Sequence, residues 1–252
     1  MTTTRVMAPP SSAQAAAVRY DRMFYSGMAV LILLIVLAGF APTYYLRLFT
    51  TEGPTVTISG SPFTRLLHLH GLLFTAWVVL FLLQAMLVAT RRVKLHMRLG
   101  IAGAALAAVM VVVGVRTGVA AAKAGAAPPG VDPLAFLVVP LGDIALFAVF
   151  AGSALWLRRN REAHKRLMLL ASISLLVAAV ARLPGLLPLG PLVFFGLTYL
   201  LIAGGVIYDI FSRRKVHPVY IWGGLLMVVF VPGRLALSGT AIWRSFAEYL
   251  TR

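Results

Sequence analysis

The chain has 252 residues, 60% of them hydrophobic and only 12% charged, with a mean hydropathy of +0.92; a water-soluble domain is roughly 45–50% apolar and about 25% charged, so an ordinary soluble fold is excluded and lipid is the solvent for most side chains. The net charge of +16 sits in short clusters between apolar runs, as RRVK (91–94), RRNR (158–161) and RRK (213–215), a distribution that argues against a nucleic-acid partner and for loops that orient a membrane protein and attract anionic lipid headgroups. No cysteine is present, which excludes disulfides, thiolate metal sites, iron–sulfur clusters and thiol catalysis.

Residues 1–21 are small, polar and Ala-rich with Pro9–Pro10, and read as a flexible cytoplasmic tail. The apolar runs that follow are 23–46, 66–90, 99–122, 134–157, 167–188, 190–211 and 219–241. The first is too long for a signal-peptide core and reads as an uncleaved span. Each run is long enough to cross roughly 30 Å of hydrocarbon at about 1.5 Å per residue. Helix is the open structure that satisfies its own backbone there. The expected fold is therefore all-α, a polytopic seven-helix transmembrane bundle over residues 22–241. Residues 48–64 form a polar loop of lid length, 124–133 (AGAAPPGVDP) a Pro/Gly turn and 183–191 (LPGLLPLGP) a tight corner. The tail 242–252 is short and amphipathic. Trp243, Phe246 and Tyr249 recur at three-residue spacing, which suits the outer membrane interface.

Orientation follows from the basic residues. With the N-terminus inside, inner segments carry 15 of the 23 Lys and Arg, and outer segments carry Arg47, Arg65, Lys123, Arg244 and Arg252. That asymmetry sets the N-terminus inside and the C-terminus outside, in a cell inner (plasma) membrane. The remaining three, Arg116, Arg182 and Arg234, lie within the apolar runs.

Ionisable groups inside spans are costly in lipid and mark functional candidates. Asp143 and the three arginines share one depth, in the outer thirds of their runs, which predicts that Asp143 pairs with one or more of them. Two readings follow: an ion pair that joins helices, or an outer cationic pocket for an anionic headgroup, a haem propionate or a quinone oxygen. In LLHLHG, His68 and His70 project about 200° apart on a helix, so only one can face a given groove. His70, Trp77 and Gln84 lie seven apart on one stripe, suited to interhelical hydrogen bonds or, at His70, to a haem or quinone contact. His96, His164 and His217 all fall at the cytoplasmic border. As a set they are candidate ligands for zinc, copper or iron, with Asp209 as a carboxylate partner; the bland alternative is three solvated loop histidines. No HExxH, phosphate loop, GxSxG or dinucleotide fingerprint occurs, and the absence of Lys from the seventh run argues against retinal attachment. The Gly-rich stretches GIAGA (100–104), 204–205 and 223–224 read as helix-packing surfaces.

The third, fifth and seventh runs each begin just after a histidine (HMRLG 96–100, HKRLM 164–168, HPVYI 217–221) and carry Arg116, Arg182 or Arg234 near the other end. Inner histidine and outer arginine are then about 26–30 Å apart along one helix, so one haem cannot touch both.

The order His70, Gln84, then HMRLG (96–100) resembles the transmembrane b-type cytochromes of the ascorbate-reducible, ferric-reductase kind. It also resembles an uncharacterised bacterial membrane family with a His, Gln, HxxxG order and a later HxxxM, here His164 and Met168 with Arg182 downstream. The resemblance covers residues 66–182. Those cytochromes hold two haems between four central helices with paired histidines on both sides, so it implies His70, His96 and His164 as ligands. The chain departs from the pattern on the outer side, where His68 and His70 share one helix and no second ligand follows, and the ascorbate-site motifs are not recognisable. One inner haem or metal is the form the residues support. Three readings stand. One is a haem b electron-transfer protein using two of His96, His164 and His217 with a quinone or protein partner. The second is a zinc or iron membrane enzyme built on all three histidines. The third is a non-enzymatic transporter, lipid-binding or assembly protein using the Asp143/arginine cluster.

Overall fold

The computed structural model describes residues 12–49 and 64–252, with side chains described from Arg19 onward except Leu48. Most of the expected lid (48–64) and the first half of the expected tail lie outside the described residues.

Helix α1 runs Ser12–Phe40 and passes through a π-turn (Ala41–Tyr45) and a 3₁₀ turn (Leu46–Phe49). It thus begins inside the segment expected to be a tail. Ala15, Ala16 and Ala17 are the strongest helix formers, and Asp21 is tied down by Lys165, Tyr208 and Arg213. Pro42 lacks an N–H and collides with the preceding turn, so the regular helix ends there. α2 (Arg65–Ala89) starts at Thr64, whose side chain accepts from Leu67 N. α3 spans Val93–Lys123, α4 is the short Pro133–Phe136 capped by Asp132, and α5 spans Val138–Trp156. Asn160 caps α6 (Arg161–Ser174), which breaks at Leu175–Leu176 before α7 (Val177–Val180). α8 (Pro191–Arg213), α9 (Pro218–Ser238) and α10 (Ala241–Leu250) complete the chain. No strand occurs among the described residues.

Six helices are long and apolar enough to cross a membrane: Arg19–Tyr45, Arg65–Ala89, Val93–Lys123, Pro133–Trp156, Pro191–Arg213 and Pro218–Ser238. They match six of the seven expected runs. The other run, 167–188, is not one helix of spanning length but the broken pair α6–α7. Its position explains the break. Leu169, Leu170, Ala171 and Ile173 have no exposed surface, and Leu176 and Ala179 are almost as deep, because α1, α5, α8 and α9 surround this segment. Ser172 and Ser174 hydroxyls donate to Met168 O and Ala171 O, competing with the helix's own ladder. Irregular backbone survives at such depth only where protein, not lipid, surrounds it.

The outer faces are the reverse of the hub. Leu72, Ile101, Val112, Leu192, Leu200, Phe211 and Trp222 are all exposed, an apolar girdle that water would penalise and lipid would not.

α1 defines two ends. Near its start Asp21 meets Lys165 of α6; near its finish Gly39 lies so close to Ala179 of α7 that a Cβ would sit 2.2 Å from the Ala179 carbonyl oxygen. We call these the Asp21 end and the Phe40 end. α10 packs beside α4: Trp243 is buried and its Nε1 donates to Leu134 O at 2.8 Å, while Ile242, Phe246 and Tyr249 face outward. The aromatic stripe expected to lie in the interface is thus split between protein and surroundings.

Candidate functional site

Charged groups gather at the two ends of the bundle. At the Asp21 end the deepest pair is Arg166–Asp209, both without exposed surface. Arg166 donates through Nε and Nη2 to the Asp209 carboxylate and through Nη1 to Glu162 Oε2 at 2.8 Å. Asp209 also accepts from His217 N at 3.0 Å. Around this pair Asp21 binds Lys165 and Arg213, and the Tyr220 ring lies 5.6 Å from the Arg166 guanidinium carbon. The network joins α1, α6, α8 and the start of α9. Sequence reasoning assigned Arg166 to a basic loop and gave no role to Asp21 or Glu162. The available signal was Glu162 four residues before Arg166, the spacing of a helical ion pair.

His217 is the N-cap of α9, its Nδ1 accepting from Val219 N at 3.2 Å. That contact requires the unprotonated nitrogen. Burial and then the nearby Arg166 charge push the His217 pKa below its ordinary value, which favours that form.

His96 and His164 form a pair. Their ring centroids are 6.3 Å apart with planes at 86°. His164 sits in the first turn of α6 and its Nδ1 lies 2.8 Å from Ala154 O. A carbonyl can only accept, so Nδ1 carries a proton and metal binding falls to Nε2. His96, in the first turn of α3, has a buried Nδ1 without a partner. Gln84 points at Gly100 of α3, where a Cβ would sit 3.8 Å from its Nε2, and its buried Oε1 is also unpartnered. Higher on the same stripe Trp77 Nε1 donates to Ser172 at 3.3 Å, as expected of a polar stripe facing other helices.

The four expected metal ligands do not assemble. Among the described residues no group of three or more His, Cys, Asp or Glu is placed to hold a metal ion. His217 is engaged at the cap, Asp209 is held by Arg166, and only His96 and His164 face each other.

At the Phe40 end Asp143 pairs with Arg234 at 2.6 Å, and with neither Arg116 nor Arg182. Arg234 Nη1 also donates to Val139 O, while Nε and Nη2 are buried without partners between the Phe195 and Phe230 rings. Gly142 makes this possible, since a Cβ there would lie 2.6 Å from Arg234 Nη1. Arg116 is exposed. Arg182 is part-buried; its Nη1 donates to Ala178 O at 2.7 Å, and its guanidinium lies 4.9 Å from the Phe40 ring centre. His70 stacks on Phe74 at 4.0 Å with a buried, unpartnered Nδ1, while His68 is exposed near Tyr44.

These features define an all-helical, multi-pass membrane protein with polar clusters at both ends of an apolar bundle. Compared with known proteins, the chain matches no family model, no curated protein and no solved structure.

Proposed function

We propose that the chain crosses the membrane seven times, N-terminus inside and C-terminus outside, and that its working centre is the His96–His164 pair. The pair would hold one metal-centred group, haem b, and the chain would serve as an electron-transfer protein with a quinone or protein partner. Support for the seventh crossing comes from α6–α7 accompanying α1 from Asp21 to Gly39, about 27 Å of helix at 1.5 Å per residue. Support for the orientation is the 15-to-5 excess of Lys and Arg on the segments assigned inside.

The single observation behind the centre is the 6.3 Å between the two imidazoles. At that separation both imidazoles would be close enough to hold one metal-centred group between them. The residues also discriminate between groups. A catalytic zinc takes three protein ligands and a structural zinc four, and among the described residues no third ligand stands beside this pair. Haem iron needs only axial ligands from the protein. When bound, haem supplies one-electron chemistry. The chain's own part is to hold two imidazoles in place. The Ala154 carbonyl fixes the His164 tautomer and keeps Nε2 available, the arrangement that orients histidine ligands and raises their basicity.

The test is the absorption spectrum and metal content of protein purified from its own membranes. A Soret band is expected, lost in His96→Ala and in His164→Ala and kept in His68→Ala. Zinc or iron without a Soret band would transfer the centre to the metal-enzyme reading, and neither haem nor metal would remove it.

A further inference from the structure

The Phe40 end holds an arginine whose charge no carboxylate among the described residues neutralises. The other two deep arginines have carboxylates, Asp209 for Arg166 and Asp143 for Arg234. Arg182 has a backbone carbonyl and an aromatic ring, and among the described residues no Asp or Glu within ion-pair distance. Both of those contacts leave donors of the guanidinium unused: Ala178 O takes one N–H of the five, and the Phe40 ring takes none. A half-buried cation at the edge of an apolar girdle is costly unless an anion joins it.

The same corner holds further unmet hydrogen-bonding capacity. His70, in the first turns of α2, lies within reach of the Arg182 charge and has a buried Nδ1 with no partner. Thr43 Oγ1, in the π-turn that follows Phe40, is likewise buried without one. Three segments therefore converge: the end of α7 supplies a cation, the start of α2 an imidazole nitrogen and the unwound end of α1 a hydroxyl. π-turns of this kind recur at functional sites. Tyr44 and Tyr45 brace the corner, Tyr44 by packing over Gly71 and Tyr45 through a 2.8 Å hydrogen bond to Thr75.

We propose that Arg182 and His70 form a binding site for an oxyanion, a carboxylate or phosphate group, with Arg182 supplying the charge and His70 Nδ1–H a second donor. Its surroundings are apolar and lipid-level, which fits the acidic headgroup of an amphiphile; a small soluble anion offers the same chemistry. This site lies at the opposite end of the bundle from His96 and His164 and stands or falls independently of them.

The experiment places the full chain in nanodiscs of phosphatidylcholine with increasing phosphatidylglycerol and counts bound acidic lipid by native mass spectrometry. In parallel, thermal unfolding in neutral detergent is followed with inorganic phosphate or acetate. Charged hydrogen bonds of this kind predict that Arg182→Gln weakens binding at least about tenfold. Arg182→Lys should retain part of it, His70→Gln should weaken it, and Arg116→Gln, an exposed arginine outside the corner, should leave it unchanged. Binding of phosphatidylglycerol supports the site with a lipid source; stabilisation by phosphate or acetate alone supports it with a soluble one. Wild-type binding in both Arg182→Gln and His70→Gln, or an equal loss in Arg116→Gln, overturns it. Should Arg182→Gln fail to fold, Arg182→Lys and His70→Gln decide the matter.

Discussion

Replacing Asp209 by Asn tests whether the Arg166 network ties the ends of four helices together. The carboxylate accepts two donors from Arg166 and the His217 N–H, and both members of the pair are wholly buried. Removing one partner of such a pair leaves an uncompensated buried charge and typically costs about 3–5 kcal/mol. Two features reduce the cost here. Glu162 still holds Arg166 Nη1 at 2.8 Å, but its side chain is 45% exposed, so it offsets about 1 kcal/mol at most. The unfolded chain also stays in the membrane and finds other partners. The expected loss is therefore about 3 kcal/mol, read as the change in equilibrium unfolding of the protein in bicelles. Asp21→Asn breaks pairs that are part-exposed and should cost about 1 kcal/mol or less. The double variant Arg166→Leu with Asp209→Leu removes both charges and should recover to within about 1 kcal/mol of wild type, because well-packed apolar residues commonly replace a buried pair without loss. An Asp209→Asn protein within about 0.5 kcal/mol of wild type, the range of an ordinary surface change, would refute the reasoning. So would a double variant as unstable as the single one.

Further expectations concern packing, pH and the pair at the Phe40 end. Gly39→Ala puts a Cβ 2.2 Å from a backbone oxygen of α7, which neither helix can relieve by a rotamer change; a drop in thermal stability of 1–3 kcal/mol or more is expected, at about the cost of overpacking, against little change for Gly27→Ala, where the space is open. His217 caps α9 through its neutral nitrogen and has a depressed pKa. Its contribution is complete above the unfolded value of 6.5 and is lost as pH falls through the lower folded value. Between pH 8 and pH 5 the loss should be about 1 kcal/mol, the size of an N-cap, and His217→Asn, which caps without titrating, should flatten that part of the unfolding profile. Asp143→Asn removes the charge opposite Arg234, whose Nε and Nη2 are already orphaned, and should lower the melting temperature in detergent, whereas unaltered melting would place Asp143 against water.

The apolar runs were legible because lipid imposes length and hydropathy on every exposed helix, and six of them are where the residues put them. The break inside the run at 167–188 was not legible for a physical reason: a segment surrounded by protein is as apolar as one facing lipid, and composition alone does not reveal that its backbone is free to break at Leu175–Leu176. Equal depth pointed Asp143 to one or more of Arg116, Arg182 and Arg234 without choosing Arg234, and a shared border grouped His96 and His164 with His217 without separating the two that face each other. The capping role of His217 was not readable, since only coordinates reveal that its Nδ1 accepts from Val219 N. Arg166 was missed because its neighbours in sequence are basic and solvated, whereas its partner Asp209 is 43 residues away.

The central claim is that His96 and His164 together hold one haem iron. Its most direct test is the iron content per chain, measured on the same purified sample whose Soret absorbance is recorded. One Soret-active iron per wild-type chain, and none in the double variant His96→Ala with His164→Ala, is the predicted result. A wild-type protein that is folded, colourless and free of iron would contradict it.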